Sequence, residues 1–207
     1  MKTNHAINLS RLKITTKLLA EEALRKGYEL ELLYGSPSEG SCTIRCRKGG
    51  KEFYFKSLNT ALTPSYGFLI AEDKVQANAL LESAQIPIPD TAVVSSLENM
   101  DEVNRAQEMI KKYGQVVVKP AKTNHGTGVR VGVDDKDELL RAIKYAKRES
   151  ERPGEVADVL VQKMILGDEY RFLVLENKVL AVATRKPPFV VGDGLSTIAQ
   201  LVEQKNK

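Results

Sequence analysis

The chain has no tryptophan, only two cysteines and only two histidines in 207 residues. Two cysteines cannot build a disulfide framework, and the spacing of Cys42 and Cys46 is neither a zinc nor a redox motif. Reduced, structural thiols in a cytoplasmic protein are the expectation. There is no serine–histidine–aspartate arrangement and no catalytic-cysteine signature, so a covalent nucleophile is not expected. Long apolar runs are missing too, and none approaches the roughly 20 residues that span a bilayer. The N-terminal MKTNHAINLSRLK has no continuous apolar core, so neither a signal peptide nor a membrane protein is expected. Aromatic residues make up 6% of the chain and the formal charge is +4. Without a concentrated basic stripe interleaved with aromatics, that charge suits an anionic small ligand rather than a nucleic acid. Internal repeats and low-complexity segments are absent.

What the chain does contain centres on Val116 to Val133, VVVKPAKTNHGTGVRVGV. Lys119 closes an apolar run, and Pro120 forbids a helix directly after it. Gly126 and Gly128 permit positive φ and leave no side chain between backbone amides and a ligand. Several amides in such a loop can point at phosphate oxygens, with a lysine beside them as point charge. A Walker A loop would need a lysine and Ser/Thr directly after the glycines, and then a helix. Here Val129, Val131 and Val133 alternate, which predicts a strand. The segment therefore reads as a strand–loop–strand flap over phosphates, with an ordinary hairpin and an exposed lysine as the alternative.

In chain order, Leu9 to Lys26 reads as an amphipathic helix with Leu12, Leu18, Leu19, Ala23 and Leu24 on one face, ended by Gly27. Tyr28 to Leu33 predicts a strand. Cys42 to Arg47 and Glu52 to Ser57 predict a hairpin around Lys48, Gly49 and Gly50, with both cysteines on one side. Ser57 to Gly67 reads as a loop. Helices follow over Phe68 to Ala84, Asn99 to Tyr113 and Asp135 to Ser150, with a short strand over Thr91 to Val94. After a surface linker over 152–158 come a strand over Val159 to Ile165 and a hairpin pairing Tyr170 to Leu175 with Lys178 to Thr184. Then come a turn at Gly192, Asp193 and Gly194 and a helix over Ser196 to Gln204, with Ser196 as N-cap. These elements make an α+β protein: a small N-terminal unit over 1–66 and a larger unit over 67–207 that carries the candidate phosphate flap.

Taken together, the AEDK helix, AQIPIP, the lysine strand, the KPAKTNHGTGV flap, VQKMILGDEYRFLVL and the VVGDGLSTIAQLVEQKN tail resemble the ATP-grasp superfamily of carboxylate–amine ligases. The resemblance runs from about residue 9 to the end. It points most specifically to the C-terminal ATP-grasp module of bifunctional glutathione synthetases, and next to cyanophycin synthetases. It implies an ATP-grasp fold, incomplete at the C-terminus, with ATP as cofactor. Lys74 and Lys119 match the family's phosphate lysines. His125, Gly126, Thr127 and Gly128 match the flap over the β- and γ-phosphates. Gln162, Lys163, Met164 and Ile165 match the adenine hinge, where the contacts are mainly backbone. Glu169 matches the ribose carboxylate, and Arg171 and Arg185 match arginines that face the phosphates or the acceptor. Read without the family, Lys74 is a surface lysine, Met164 a core filler and Glu169 an exposed turn residue.

The implied reaction is an ATP-dependent ligation through an acyl phosphate, with γ-glutamylcysteine plus glycine as the specific expectation. Its partners would be small amino-acid or peptide substrates. The family's magnesium ligands lie further towards the C-terminus, and the chain ends before them. A fragment of a longer enzyme, or a shortened relative, is therefore expected. Mg2+ would belong to the family without ligands here, and a sheet left partly uncovered would invite a homodimer. A non-catalytic nucleotide-binding module is the alternative function.

Overall fold

A computed structural model describes residues 7–34, 42–57, 59–150 and 157–206. The expected linker over 152–158 lies outside them as far as residue 156. The chain begins with a 3-10 turn, Leu9–Arg11, and helix α1, Ile14–Arg25. A four-stranded antiparallel sheet follows: β1 Glu29–Tyr34, β2 Thr43–Lys48, β3 Lys51–Lys56 and β4 Asn59–Thr60, in that spatial order. The expected continuous helix over Leu9 to Lys26 is thus interrupted at Leu12 and Lys13. Of the expected face, Leu12 and Ala23 are buried and Leu19 packs on the core, but the other two leucines are not part of it. Thr16, Ala20 and Ala23 are buried, whereas Leu18 and Leu24 are exposed. Small residues let α1 lie close on the sheet, so the larger leucines are left at the margin.

Strand β2 shows why this unit holds together. Cys42, Ile44 and Cys46 are buried towards α1, while Arg45 and Arg47, between them in sequence, face the other way. Both cysteines are free, and burial pushes the Cys46 thiol up to about 11. On the opposite face Arg45 and Arg47 pair with Glu31 of β1, and Arg47 Nε lies 2.9 Å from Glu52 of β3.

The segment expected as a loop from Ser57 to Gly67 instead holds β4 and the start of helix α2, Ser65–Glu72. The single helix expected over Phe68 to Ala84 is two helices. Asp73 leaves helical conformation (φ −110°, ψ 109°) and starts α3, Lys74–Ser83. Its side chain accepts from Val75 N at 2.9 Å and Gln76 N at 3.3 Å, which caps α3.

The second core lies between a sheet and two helices. Strands β5 Thr91–Val94, β6 Val116–Pro120, β7 Arg130–Val133 and β8 Val159–Lys163 form an antiparallel sheet in the order β5-β8-β6-β7. Helices α4, Met100–Tyr113, and α5, Lys136–Ser150, cover one face. Val94, Val116, Val118, Val133, Val159 and Val161 point into that layer, where Leu139, Ala142, Ile143 and Ala146 of α5 recur at helical spacing. The alternation of a strand then sends Val117, Lys119, Leu160 and Gln162 to the other face.

The remaining elements are the hairpin β9 Glu169–Leu175 with β10 Lys178–Arg185, and α6, Ile198–Lys205. Every residue of both hairpin strands is exposed. Asp193 forms the expected turn, accepting from Leu195 N at 2.9 Å and Ser196 N at 2.7 Å, and these bonds hold its carboxyl down at about 2. Ser196 is taken up by that turn, so Thr197 rather than Ser196 is the N-cap of α6, in a capping box with Gln200. No helix among the described residues is long and apolar enough to cross a membrane.

Candidate functional site

The face of the β5-β8-β6-β7 sheet away from α4 and α5, partly covered by α3, carries the candidate site. Lys119 stands opposite Leu160, and one step along, Val117 stands opposite Gln162, which in turn stands opposite Thr91. Lys119 is partly buried, and burial pushes its ammonium below the ordinary lysine range. The charge of Lys74 pushes it the same way. Lys74 arrives from α3, whose first residue it is. Its backbone N and its Nζ both donate to Ala121 O at 3.1 Å, and Nζ also donates to Thr123 O at 2.8 Å. Burial lowers the Lys74 pKa too, while Asp73 opposes the shift.

Two cations therefore share one crevice. No carboxylate of a described residue forms an ion pair with either one. Asp73 is spent on the α3 cap, on Gln76 Nε2 at 3.1 Å, and on Lys122 at 4.0 Å. Two partly desolvated ammoniums in one crevice, offset only by the charge of Asp73 beside Lys74, are a place for an anion. Asp73 is a residue that sequence reasoning passed over. Its signal was there, an aspartate directly before a helical lysine.

The loop between β6 and β7 closes on itself beside this crevice. Thr123 Oγ1 donates to Thr127 O at 2.9 Å, Thr127 N donates to Asn124 O at 3.2 Å, and Val129 N donates to Gly126 O at 3.1 Å. His125, Gly126 and Gly128 all have positive φ. The two glycines differ in kind. Gly126 has open space around it, whereas a Cβ at Gly128 would meet Pro120 Cγ at 2.6 Å. Gly128 is buried and lets the loop close on β6, while His125, Gly126 and Thr127 form the exposed tip.

Of the hinge residues, Gln162 is 4% exposed and its Nε2 donates to Thr91 Oγ1 at 2.7 Å. Strand β8 ends at Lys163, so Met164 and Ile165, expected within the strand, lie beyond its end. The backbone amides of Lys163 and Met164 are used within the fold, by Asp90 O at 2.9 Å and Gln115 O at 3.5 Å. The Ile165 amide donates to no described residue. The Lys163 side chain lies over the Tyr113 ring, 5.1 Å from its centroid. A cleft of about 700 Å³ between α3 and β5 reaches Thr91 and Leu160 from the side, and in it Asn78 Nδ2 is buried without a partner.

Glu169, Arg171 and Arg185 form a separate cluster. Cross-strand pairing sets Arg185 opposite Glu169, with Nη1 3.5 Å from Oε1, and Arg171 Nε lies 4.0 Å from the same oxygen. All three are exposed, and no described hydrogen bond or ion pair joins them to the lysine crevice.

A group of three carboxylates does occur among the described residues. Asp134, Asp135 and Glu138 have ligand atoms within 4.8 Å of one another. Asp135 Oδ1 accepts from Asp137 N and Glu138 N, both at 2.8 Å, so it serves the start of α5. The lysine crevice itself offers no carboxylate cluster, and its residues do not fit a magnesium ion.

Comparison with known proteins shows the family and the fold. Residues 55–183 match the family model described as sugar-transfer associated ATP-grasp. The chain belongs to the ATP-grasp family, with its α+β fold. A glutathione biosynthesis bifunctional protein of Mannheimia succiniciproducens is 34% identical over 199 residues, 94% of this chain and 24% of the relative. A cyanophycin synthetase of Trichormus variabilis is 32% identical over 155 residues, 73% of this chain and 16% of the relative. Among solved structures, a bifunctional glutathione synthetase from Pasteurella multocida superposes with TM-score 0.54 at 27% identity, over 96% of this chain and 25% of that one. D-alanyl-alanine synthetase A from Vibrio cholerae shares the fold, with TM-score 0.52 at 12% identity, over 85% of this chain and 63% of that one. The chain spans about a quarter of the length of the bifunctional relatives it matches.

Proposed function

We propose that this chain is the nucleotide-binding part of an ATP-dependent carboxylate–amine ligase. The supporting observation is the pair of partly buried ammoniums of Lys74 and Lys119, neither in an ion pair with a carboxylate of a described residue, on the face of the β5-β8-β6-β7 sheet away from α4 and α5. In this reading the phosphates of ATP take the place of the missing counter-charge. The exposed loop tip, His125, Gly126 and Thr127, closes over them from β6 and β7, with Gly128 as its tight anchor. The base lies on Val117, beside Gln162 and the hinge from Lys163 through Met164 to the unused amide of Ile165. Glu169 takes the ribose hydroxyls, with two acceptor oxygens for two O–H donors. Arg171 and Arg185 meet the charge that builds on the transferred phosphoryl group.

The reaction fits a protein that supplies positioning and charge rather than a nucleophile. A substrate carboxylate oxygen attacks the γ-phosphorus, ADP leaves, and an acyl phosphate forms. An amine nitrogen then attacks the acyl carbon, inorganic phosphate leaves, and the nitrogen loses a proton as the amide forms. Likeness to glutathione-synthesising relatives favours γ-glutamylcysteine plus glycine as substrates, and a cyanophycin-type amino-acid ligase is the variant. We read the two cores as a small unit over 1–66 and the ATP-grasp unit over 67–207. One observation favours a second reading, a nucleotide-binding module without catalysis. The crevice lacks the carboxylates that a phosphate-bridging Mg2+ would need.

Calorimetric titration with ATP tests the site. Lys119→Ala and Glu169→Ala are each expected to weaken binding about tenfold, the worth of one charge-assisted hydrogen bond. Unchanged affinity in both variants would sink the assignment.

A further inference from the structure

We infer that Thr91 sets the choice of nucleobase by locking the Gln162 side-chain amide with its oxygen towards the crevice. The inference rests on the reading that a purine lies on the Val117 face. A glutamine amide has a donor end and an acceptor end of almost the same shape, so its orientation comes from its partners. Here the partners leave one solution. Thr91 Oγ1 lies 2.8 Å from Pro89 O, and a carbonyl oxygen can only accept, so the single hydroxyl proton goes to Pro89. Thr91 Oγ1 then has only lone pairs left. The Gln162 atom 2.7 Å from it must be a donor, which makes it Nε2. The reversed amide would set two acceptors against each other at that distance.

Gln162 Oε1 is fixed by the same bond. It accepts from no described residue, and Asn78 Nδ2 is the buried side-chain atom left without a partner among those residues. Oε1 therefore keeps an unused lone pair, which in this proposal a bound base takes up. Gln162 stands opposite Val117, on the face shared with Lys119. Residues two apart on one strand are about 7 Å apart, so phosphates at Lys119 and a base at Val117 fall within one nucleotide. A fixed acceptor beside the base matches the exocyclic amine of a 6-aminopurine and repels the oxygen of a 6-oxopurine. Thr91 touches no part of the ligand in this scheme. It is a positioning residue, one strand away from the site and 71 residues from Gln162 in sequence.

The test compares two nucleotides on the same protein, ATP and purine riboside 5′-triphosphate, which lacks only the 6-amino group. Both share every phosphate and ribose contact, so a fold defect in a variant cancels in the ratio of their affinities. The unmodified chain is expected to prefer ATP about tenfold, the usual worth of one such hydrogen bond. Thr91→Val removes the hydroxyl at nearly constant shape and is expected to bring the ratio close to one. Thr91→Ser retains the lock and the preference. Adding Gln162→Glu to Thr91→Val restores the preference, because a carboxylate presents an oxygen in either orientation. A Thr91→Val protein that keeps the full ratio overturns the role of Thr91, and so does an unmodified chain that binds both nucleotides equally, with the nucleotide site itself left standing. Failure of the unmodified chain to bind either nucleotide overturns the site and this inference together. A readout on the unmodified chain needs no variant. The Gln162 side-chain N–H2 signals in an NMR spectrum keep their positions when ATP is added, since their donor stays on Thr91; a large shift would mean the amide donates to the base.

Discussion

The molecule holds its candidate cations in two opposite ways. Lys74 and Lys119 are partly buried in a crevice on a well-packed sheet, and neither is in an ion pair with a carboxylate of a described residue, Asp73 acting on Lys74 only through its nearby charge. Arg171 and Arg185 stand on an exposed hairpin and already share Glu169. Under the proposed function, the first pair is a site built before its ligand arrives, and the fold bears the electrostatic cost. The second costs the fold almost nothing, and it becomes a site only when something packs on the hairpin and takes water away. Preorganisation and stability pull against each other in the first region and are uncoupled in the second.

The sharpest way to break this contrast is through packing. Ile143 is fully buried between α5 and the sheet, so Ile143→Ala is expected to cost about 2–5 kcal/mol in urea unfolding. Leu175 on β9 is 42% exposed, and Leu175→Ala is expected to change stability by no more than about 0.5 kcal/mol. Equal losses at the two positions would erase the distinction between a built and an unbuilt region.

A smaller effect is expected at the lysines, with a defined sign in pH. Burial lowers the folded-state pKa of Lys119 below its unfolded value. Between the two values the unfolded chain binds more protons, so this residue makes stability rise with pH in the alkaline window just below the ordinary lysine pKa. At neutral pH the charge is a net burden, and Lys119→Met is expected to stabilise the ligand-free chain by about 1 kcal/mol. The gain should shrink as pH rises through that window, measured by urea midpoints at several pH values. A Met variant that is less stable at neutral pH would show that Lys119 has a counter-ion after all.

The least effect belongs to the hairpin cluster. Glu169→Gln removes a charge from an exposed group of three, and stability is expected to move by less than about 0.5 kcal/mol in the same assay. A larger loss would mean that the arginines hold the hairpin in place.

Much of this was legible in the residues, for reasons that differ by element. The alternation of Val129, Val131 and Val133 and the run closed by Lys119 specify strands by side-chain period alone, and those strands formed β7 and β6. Helices α4 and α5 were readable for the same reason. Boundaries set by a single hydrogen bond were harder. The apolar period runs across Asp73 without a break, so only its capping bonds separate α2 from α3. Ser196 and Thr197 are equal candidates for a cap until the Asp193 turn claims the first. Leu18 and Leu24 fit the period of α1, but the close approach of Ala20 and Ala23 to the sheet decides which face is buried. In the site, Lys119 was readable from its own strand. Thr91 was not, because its partner is distant in the chain and nothing near it in sequence hints at the bond.

The break at Asp73 has a consequence for how this architecture can vary. Helix α3 is capped from within, so its first turn needs nothing from α2. Lys74 is anchored by carbonyls of the β6–β7 loop rather than by the residues before it. The seam between Glu72 and Asp73 is therefore a natural joint. Segments of different length, aim or surface can be joined there, and the lysine beyond the joint keeps its place.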